Sequence, residues 1–245
     1  MPFSLSLEGI GYGYNGVPVF SDITLDVPSG DILVITGRSG SGKSTILEIC
    51  AGLKMPHSGN VFWNGRAFNS LSRTQIQQVR MTTGYVFQPH ALISNFPVFE
   101  NVALPLRYHT QMDDAVLRKR VAAHLELFNI AHIAGKRPEA LSVGQCRLAS
   151  IARAFVMSPE VVFLDEPLSG LDPQTAKIVT DILKRMARYN DVTLVIVSHE
   201  ADFIRDMQCR VAFLENGTVS MHSSSDLLAD SSNTSILSNY FEART

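Results

Sequence analysis

Ile32-Leu-Val-Ile-Thr36 runs directly into Gly37-Arg38-Ser39-Gly40-Ser41-Gly42-Lys43-Ser44-Thr45, and the reading of the chain turns on this stretch. A short apolar run rich in β-branched residues reads as a buried strand. The glycine-rich segment behind it fits G-x-x-x-x-G-K-[ST]. Glycines let the backbone curl so that successive N–H groups point at phosphate oxygens, and the following helix adds the positive end of its dipole. Lys43 supplies a charge for β- and γ-phosphates, and the Ser44 hydroxyl can ligate Mg²⁺. The helix reading holds, because Ile46, Leu47, Ile49, Cys50 and Leu53 follow at one-face spacing.

Three further apolar runs, Val161–Leu164, Val192–Val197 and Val211–Leu214, also read as buried strands. Helical stripes lie between them: Leu117, Val121, Leu125 and Phe128, then Ile178, Ile182, Leu183 and Met186. Strands alternating with helices predict an α/β fold with a largely parallel sheet. Residues 1–30 and 57–80 break the alternation with turn signals such as Asn15-Gly16 and Asn64-Gly65, and read as an antiparallel layer. Residues from about 90 to 158 read as an inserted helical subdomain, and a Ser-rich tail follows residue 220. Its apolar end (Ile236, Leu237, Tyr240, Phe241) is expected to dock on the body.

Composition narrows the function classes. With 245 residues the chain exceeds the usual ~150 per domain, as one large domain with a subdomain does. Twenty-one basic against 23 acidic side chains give a net charge of −2, with no overall positive field for nucleic acid. The cluster Arg118-Lys119-Arg120 reads as a solvated helix face. Three scattered cysteines argue against a disulfide framework or zinc site and for a reducing compartment. The Met-Pro-Phe-Ser start lacks signal-peptide features, and no apolar run reaches the ~18 residues of a membrane span. A soluble chain carried to a membrane only by a partner is the expectation.

Two other segments carry chemistry. Val161-Val-Phe-Leu-Asp165-Glu166 places Asp165 where a strand emerges, the position for a Mg²⁺-organising carboxylate, and Glu166 where it can polarise a water. Leu141-Ser142-Val143-Gly144-Gln145 opens a helix, and Ser142 with Gln145 makes a capping box; alone it is no more than a cap.

In order and spacing these three segments resemble the ATP-binding cassette (ABC) ATPases, over nearly the whole chain. The resemblance implies a P-loop NTPase fold: a RecA-like parallel-sheet core, an antiparallel β-subdomain and an inserted helical subdomain, spanning residues 1–220, with 221–245 as a tail. It implies ATP and Mg²⁺ as cofactors. Tyr14 matches the aromatic that stacks on adenine, and Gln88 the glutamine that senses Mg²⁺ and water. Asp172, in Ser169-Gly-Leu-Asp172, matches a segment crossing a dimer interface, and His199 the γ-phosphate histidine. Glu166, His199 and Gln88 are thus the catalytic candidates. Residues 37–45, Tyr14, Ser142, Gly144, Gln145 and Asp172 are the nucleotide candidates, and Ser44, Gln88 and Asp165 the metal candidates. The family pairs two copies so that each nucleotide lies between one phosphate-binding loop and the other's Ser142 helix. Where the family has glycine this chain has Val143, which predicts retained hydrolysis at the same or a lower rate.

Chain architecture then favours a transporter subunit. The resemblance implies a groove after Gln88 that receives an integral-membrane permease, with Leu92, Ile93, Phe96 and Phe99 as its apolar candidates; packing within the helical subdomain is the alternative. Phe87 to Thr110 is most similar to ATPases of bacterial phospholipid-transport (Mla-type) systems; Glu100–Leu106 is shared with lipoprotein-release and cell-division ATPases, which are the alternative function. That implies a peripheral protein on the cytoplasmic face of the inner membrane, with a small STAS-domain subunit as a further partner. A soluble mechanical ATPase is the other class.

Overall fold

The computed structural model describes residues 3–88, 91–227 and 240–241. Its centre is a six-stranded sheet. β3 (Ile32–Gly37), β6 (Thr83–Val86), β7 (Val161–Asp165), β8 (Thr193–Val197) and β9 (Arg210–Glu215) run parallel, and β10 (Thr218–Ser223) closes one edge as a hairpin with β9. The spatial order is β10-β9-β3-β8-β7-β6. These strands are buried on both faces, which is why they read as unbroken apolar runs. Their side chains nonetheless alternate: Val34, Val162, Leu164, Leu194 and Ile196 face one core, and Leu33, Ile35, Val161, Phe163, Val195 and Val197 the other.

The first core is covered by α3 (Val98–His109), α4 (Asp114–Leu127), α5 (Val143–Phe155), α6 (Pro173–Asn190) and α7 (Ala201–Met207). The second lies between the sheet, α1 (Lys43–Cys50) and an antiparallel sheet of β1 (Leu5–Tyr14), β2 (Val17–Val27), β4 (Ser58–Trp63) and β5 (Arg66–Ala67), ordered β2-β1-β4-β5. Trp63 anchors that layer by donating its indole N–H to the Cys50 carbonyl at the end of α1.

The expected strands are present, and α3–α5 form the helical insert between β6 and β7. β6 itself was absent from the sequence reading, as was α2 (Arg73–Met81), a helix with no buried residue that begins at the Ser72–Gln75 capping box. In α6 the buried stripe runs through Val179, Leu183 and Met186, leaving Ile178 exposed. β10 carries the sheet three residues past position 220. Of the tail residues expected to dock, Tyr240 and Phe241 pack on Phe213 and the first core; Ile236 and Leu237 lie outside the described residues.

Close packing sets the β6–α5 spacing. A Cβ on Gly84 of β6 would lie 2.4 Å from the Ala154 carbonyl oxygen, whereas one on Gly135 meets nothing within 4 Å. Gly84→Ala should therefore cost about 1–3 kcal/mol and lower the melting temperature by about 2–10 °C. Gly135→Ala should leave it within about 1 °C in the same thermal scan.

Candidate functional site

Parallel pairing brings the ends of β3, β6, β7 and β8 to one edge of the sheet, where ligands of such sheets bind. Gly37, Gln88, Asp165 with Glu166, and His199 follow these four ends in turn. A cleft of about 510 Å³ opens there, lined by Tyr14, Val19, Ser39, Gly40, Gly42, Lys43, Ser44, Thr45, Gln88, Glu166 and His199.

The loop needs its glycines for two separate reasons. At Gly37, φ is 144° and a Cβ would lie 2.2 Å from the Leu214 carbonyl of β9. At Gly42, the N-cap of α1, φ is 97°, a Cβ would strike Val19 and Phe20, and no side chain caps the helix. The first N–H groups of α1 are thus left without a capping side chain, as an anion site at a helix start requires. The Lys43 ammonium donates to the Gly37 and Arg38 carbonyls at 3.0 and 2.9 Å. The Gly37 oxygen also accepts the Tyr240 hydroxyl at 2.7 Å, a contact that joins residues 203 positions apart. The Arg38 side chain turns outward to Glu215.

Across the cleft, Ser44 Oγ donates to Asp165 Oδ1 at 3.1 Å. Among the described residues no three His, Cys, Asp or Glu side chains converge as a metal cage. One hydroxyl and one carboxylate, with Gln88 in the same cleft, instead fit Mg²⁺, which takes few protein ligands and completes its shell with phosphate and water. Glu166 sits in the left-handed region (φ 47°), a strained conformation for a non-glycine residue, with its N–H bonded to Val197. Its Oε1 meets His199 Nδ1 at 2.8 Å; its Oε2 is buried without a hydrogen-bond partner. At the cleft rim the Tyr14 hydroxyl accepts from Lys54 at 2.9 Å and shares a 3.1 Å hydrogen bond with Thr45 Oγ1. These contacts, that with Lys54 foremost, hold the phenol below its ordinary range.

Ser142, Gly144, Gln145 and Asp172 do not line this cleft. Ser142 and Gln145 form the reciprocal capping box of α5, and Val143 beside them is half exposed. Asp172 caps α6, accepting from Gln174 N, Thr175 N and Thr175 Oγ1. A Cβ on Gly144 would meet Thr175 at 2.9 Å, so the two helix starts form one separate surface patch.

A second depression of about 500 Å³ lies by the helical insert; Tyr85, Phe87, Ile93, Leu104, Pro105 and Tyr108 are among its lining. Of the four apolar candidates for a permease groove only Ile93 lines it. The buried Asn101 side chain accepts from Ile93 N and donates to the Ile93, Phe96 and Pro97 carbonyls, folding this loop against α3. Leu92 and Phe99 thereby pack half-buried on the helical core, with Arg118 over the Phe99 ring, and Phe96 is exposed outside the groove. Arg118 also pairs with Asp114, and Arg120 donates to Val156 and Ser158.

A family model described as ABC transporter matches residues 20–169. The chain belongs to the ABC transporter family. The cassette is 34% identical over 215 residues to the methionine import ATP-binding protein MetN of Clostridioides difficile, covering 88% of this chain and 67% of that one. It is 33% identical over 184 residues to the intermembrane phospholipid transport system ATP-binding protein MlaF of Haemophilus influenzae, covering 75% and 70%. The chain spans 54–59% of the length of further MetN relatives. Its fold is similar (TM-score 0.83, 29% identity, 90% of this chain and 98% of that one) to the ATP-binding cassette MJ0796, solved as a dimer bound to ADP and Pi. The cassette therefore has the ABC ATPase fold, and it is an ATPase of that class.

Val19 and Lys54 escaped the sequence reading, and Tyr240 was expected only to dock on the body, not to touch the glycine-rich loop. Val19 enters the cleft by strand register, Lys54 bonds Tyr14 at its rim, and Tyr240 reaches the Gly37 carbonyl from the far end of the described chain.

Burial pushes the Asp165 carboxyl above the usual range against the hydrogen bond from Ser44, and the neighbouring charges of Glu166 and Glu48 push the same way. A raised folded-state pKa means the folded protein holds this proton more tightly than the unfolded chain, so stability falls as pH rises through it. Asp165→Asn should then raise the nucleotide-free melting temperature near about pH 7.5, with the gain disappearing near about pH 4. The same variant should lose the Mg²⁺-dependent part of ATP binding in calorimetry. A lower melting temperature near neutral pH would show that the Ser44 contact outweighs burial.

Proposed function

We propose that the cassette is the ATP-hydrolysing subunit of a membrane transporter, working as two copies on a permease. The observation that carries this is the single cleft in which Lys43, Ser44, Gln88, Glu166 and His199 meet. In this reading Tyr14 stacks on the base, and the loop amides from Gly37 to Thr45, Arg38, Ser39, Gly40 and Ser41 included, cradle the phosphates with Lys43. Ser44, Asp165 and Gln88 hold Mg²⁺, which when bound offsets phosphate charge. Glu166 takes the proton of the attacking water, and His199 orients that carboxylate and reaches the γ-phosphate. Ser142, Gly144, Gln145 and Asp172, placed away from their own cleft, serve the nucleotide of the second copy, as a two-fold pair requires. Capping leaves the second hydrogen-bonding roles of Ser142 and the Gly144 amide usable, so Val143 slows hydrolysis at most.

The apolar groove by Tyr108 takes the permease, which would hold the cassette at the cytoplasmic face of a bacterial inner membrane. No helix among the described residues is long and apolar enough to cross a membrane. Tyr108, at 81% exposure, is an apolar surface of the kind that a partner covers. For the transported substrate we favour phospholipid moving between membranes, supported by the Phe87–Thr110 stretch and the MlaF relative, with a small STAS-domain subunit on the helical side. A methionine importer is the second reading, favoured by several MetN relatives at 34–37% identity.

Glu166→Gln should bind ATP as tightly as the parent in equilibrium binding and lose at least about a hundredfold in turnover, the usual worth of general-base catalysis. Unimpaired hydrolysis would remove Glu166 as the base. Tyr108→Glu should abolish co-purification with the permease in mild detergent while ATP binding stays intact. With the permease reconstituted in liposomes, ATP turnover raised by phospholipid and indifferent to methionine supports the lipid reading. The reverse pattern supports the importer.

A further inference from the structure

We propose that Arg147 is a positioning residue for Gln88: it ties the start of α5 to the loop that carries the Mg²⁺-site glutamine. The inference rests on the ATPase reading of the cleft. Arg147 is only 1% exposed. Its guanidinium makes one long hydrogen bond, Nη1 to the Phe87 carbonyl at 3.4 Å, and its Nε is buried without a hydrogen-bond partner. A guanidinium carries five donors in a rigid fork, and burying one so sparsely bonded is costly. A residue needed only to fill this space would be apolar, as Leu148 beside it is.

Position explains the arginine. Phe87 is the residue immediately before Gln88, so the bonded carbonyl belongs to the peptide that places Gln88 in the cleft. Six residues further along α5, Arg153 donates to the Ala91 carbonyl at 2.9 Å, where Ala91 is itself left-handed (φ 45°). One helix thus grips both sides of the Gln88 segment. The same helix begins at Ser142, in the patch assigned to the second copy's nucleotide. Arg147 also feels the charges of Asp165 and Glu166, and the Glu166 Oε2 is buried without a hydrogen-bond partner. The Phe87 carbonyl, and with it the place of Gln88 relative to Glu166, is therefore held from α5.

The test compares Arg147→Met and Arg147→Lys in the full chain by ATP turnover and thermal unfolding. Arg147 makes no ion pair among the described residues, so an apolar side chain of similar length removes a desolvation cost at the expense of one long hydrogen bond. Arg147→Met should therefore melt within about 2 °C of the parent or above it. Its kcat should fall about tenfold or more, with KM for ATP changed less than about twofold. Arg147→Lys, which keeps a charge, should recover part of kcat. In a Gln88→Ala background Arg147→Met should have almost no further effect, because both act through one group. Unchanged kcat, kcat and melting temperature falling together in both variants, or full additivity with Gln88→Ala would each overturn the proposal. If the parent does not hydrolyse ATP, the proposed function fails and this inference with it; an active parent with an equally active Met variant sinks the inference alone.

Discussion

Parallel strand pairing is the constraint on which the rest of this structure depends. Only when β3, β6, β7 and β8 share a direction do the loop at Gly37, Gln88, the Asp165-Glu166 pair and His199 emerge at one edge. These groups are up to 162 positions apart in the chain, counting from Gly37 to His199, and register brings them into hydrogen-bond range. The register is fixed in turn by burial: with one core on each face, a one-residue slip would exchange Val34, Leu164 and Ile196 for their neighbours on the wrong side.

The edge carries local costs that the two cores offset. Glu166 is strained, one of its oxygens is unpartnered, and Asp165 is an acid pushed toward its neutral form by burial. Such features destabilise a resting protein and suit a site whose acidic groups would gain a counter-charge only from a bound cation. The three cysteines show the opposite case. Burial pushes the Cys50 and Cys209 thiols up to about 12, and Cys146 is also raised, so all three behave as small apolar core residues.

What could be read from the sequence followed the strength of local signals. β3, β7, β8 and β9 were legible because doubly buried strands are continuous apolar runs, and the phosphate-binding loop because its residue types are chemically required. β6 was hidden by its length of four residues and its Gly84, which is there to let α5 approach. α2 shows no buried stripe, so its one signal was the Ser72–Gln75 box. Of the four side chains expected to form an apolar groove after Gln88, only Ile93 lines the depression by the helical insert. Asn101, a polar residue in a helical pattern, is what turns Leu92 and Phe99 inward, and no periodicity announces that. Arg147 carries no sequence signal of its own; only its burial sets it apart.

The Tyr240 hydroxyl and the Lys43 ammonium converge on one oxygen, that of Gly37. The far end of the described chain therefore reports directly on the glycine-rich loop, and the reverse also holds. Anything fused, labelled or cleaved near residue 240 is an intervention at the glycine-rich loop rather than at a neutral handle. An affinity for ATP measured on protein altered there includes the undocking of a phenol from the loop.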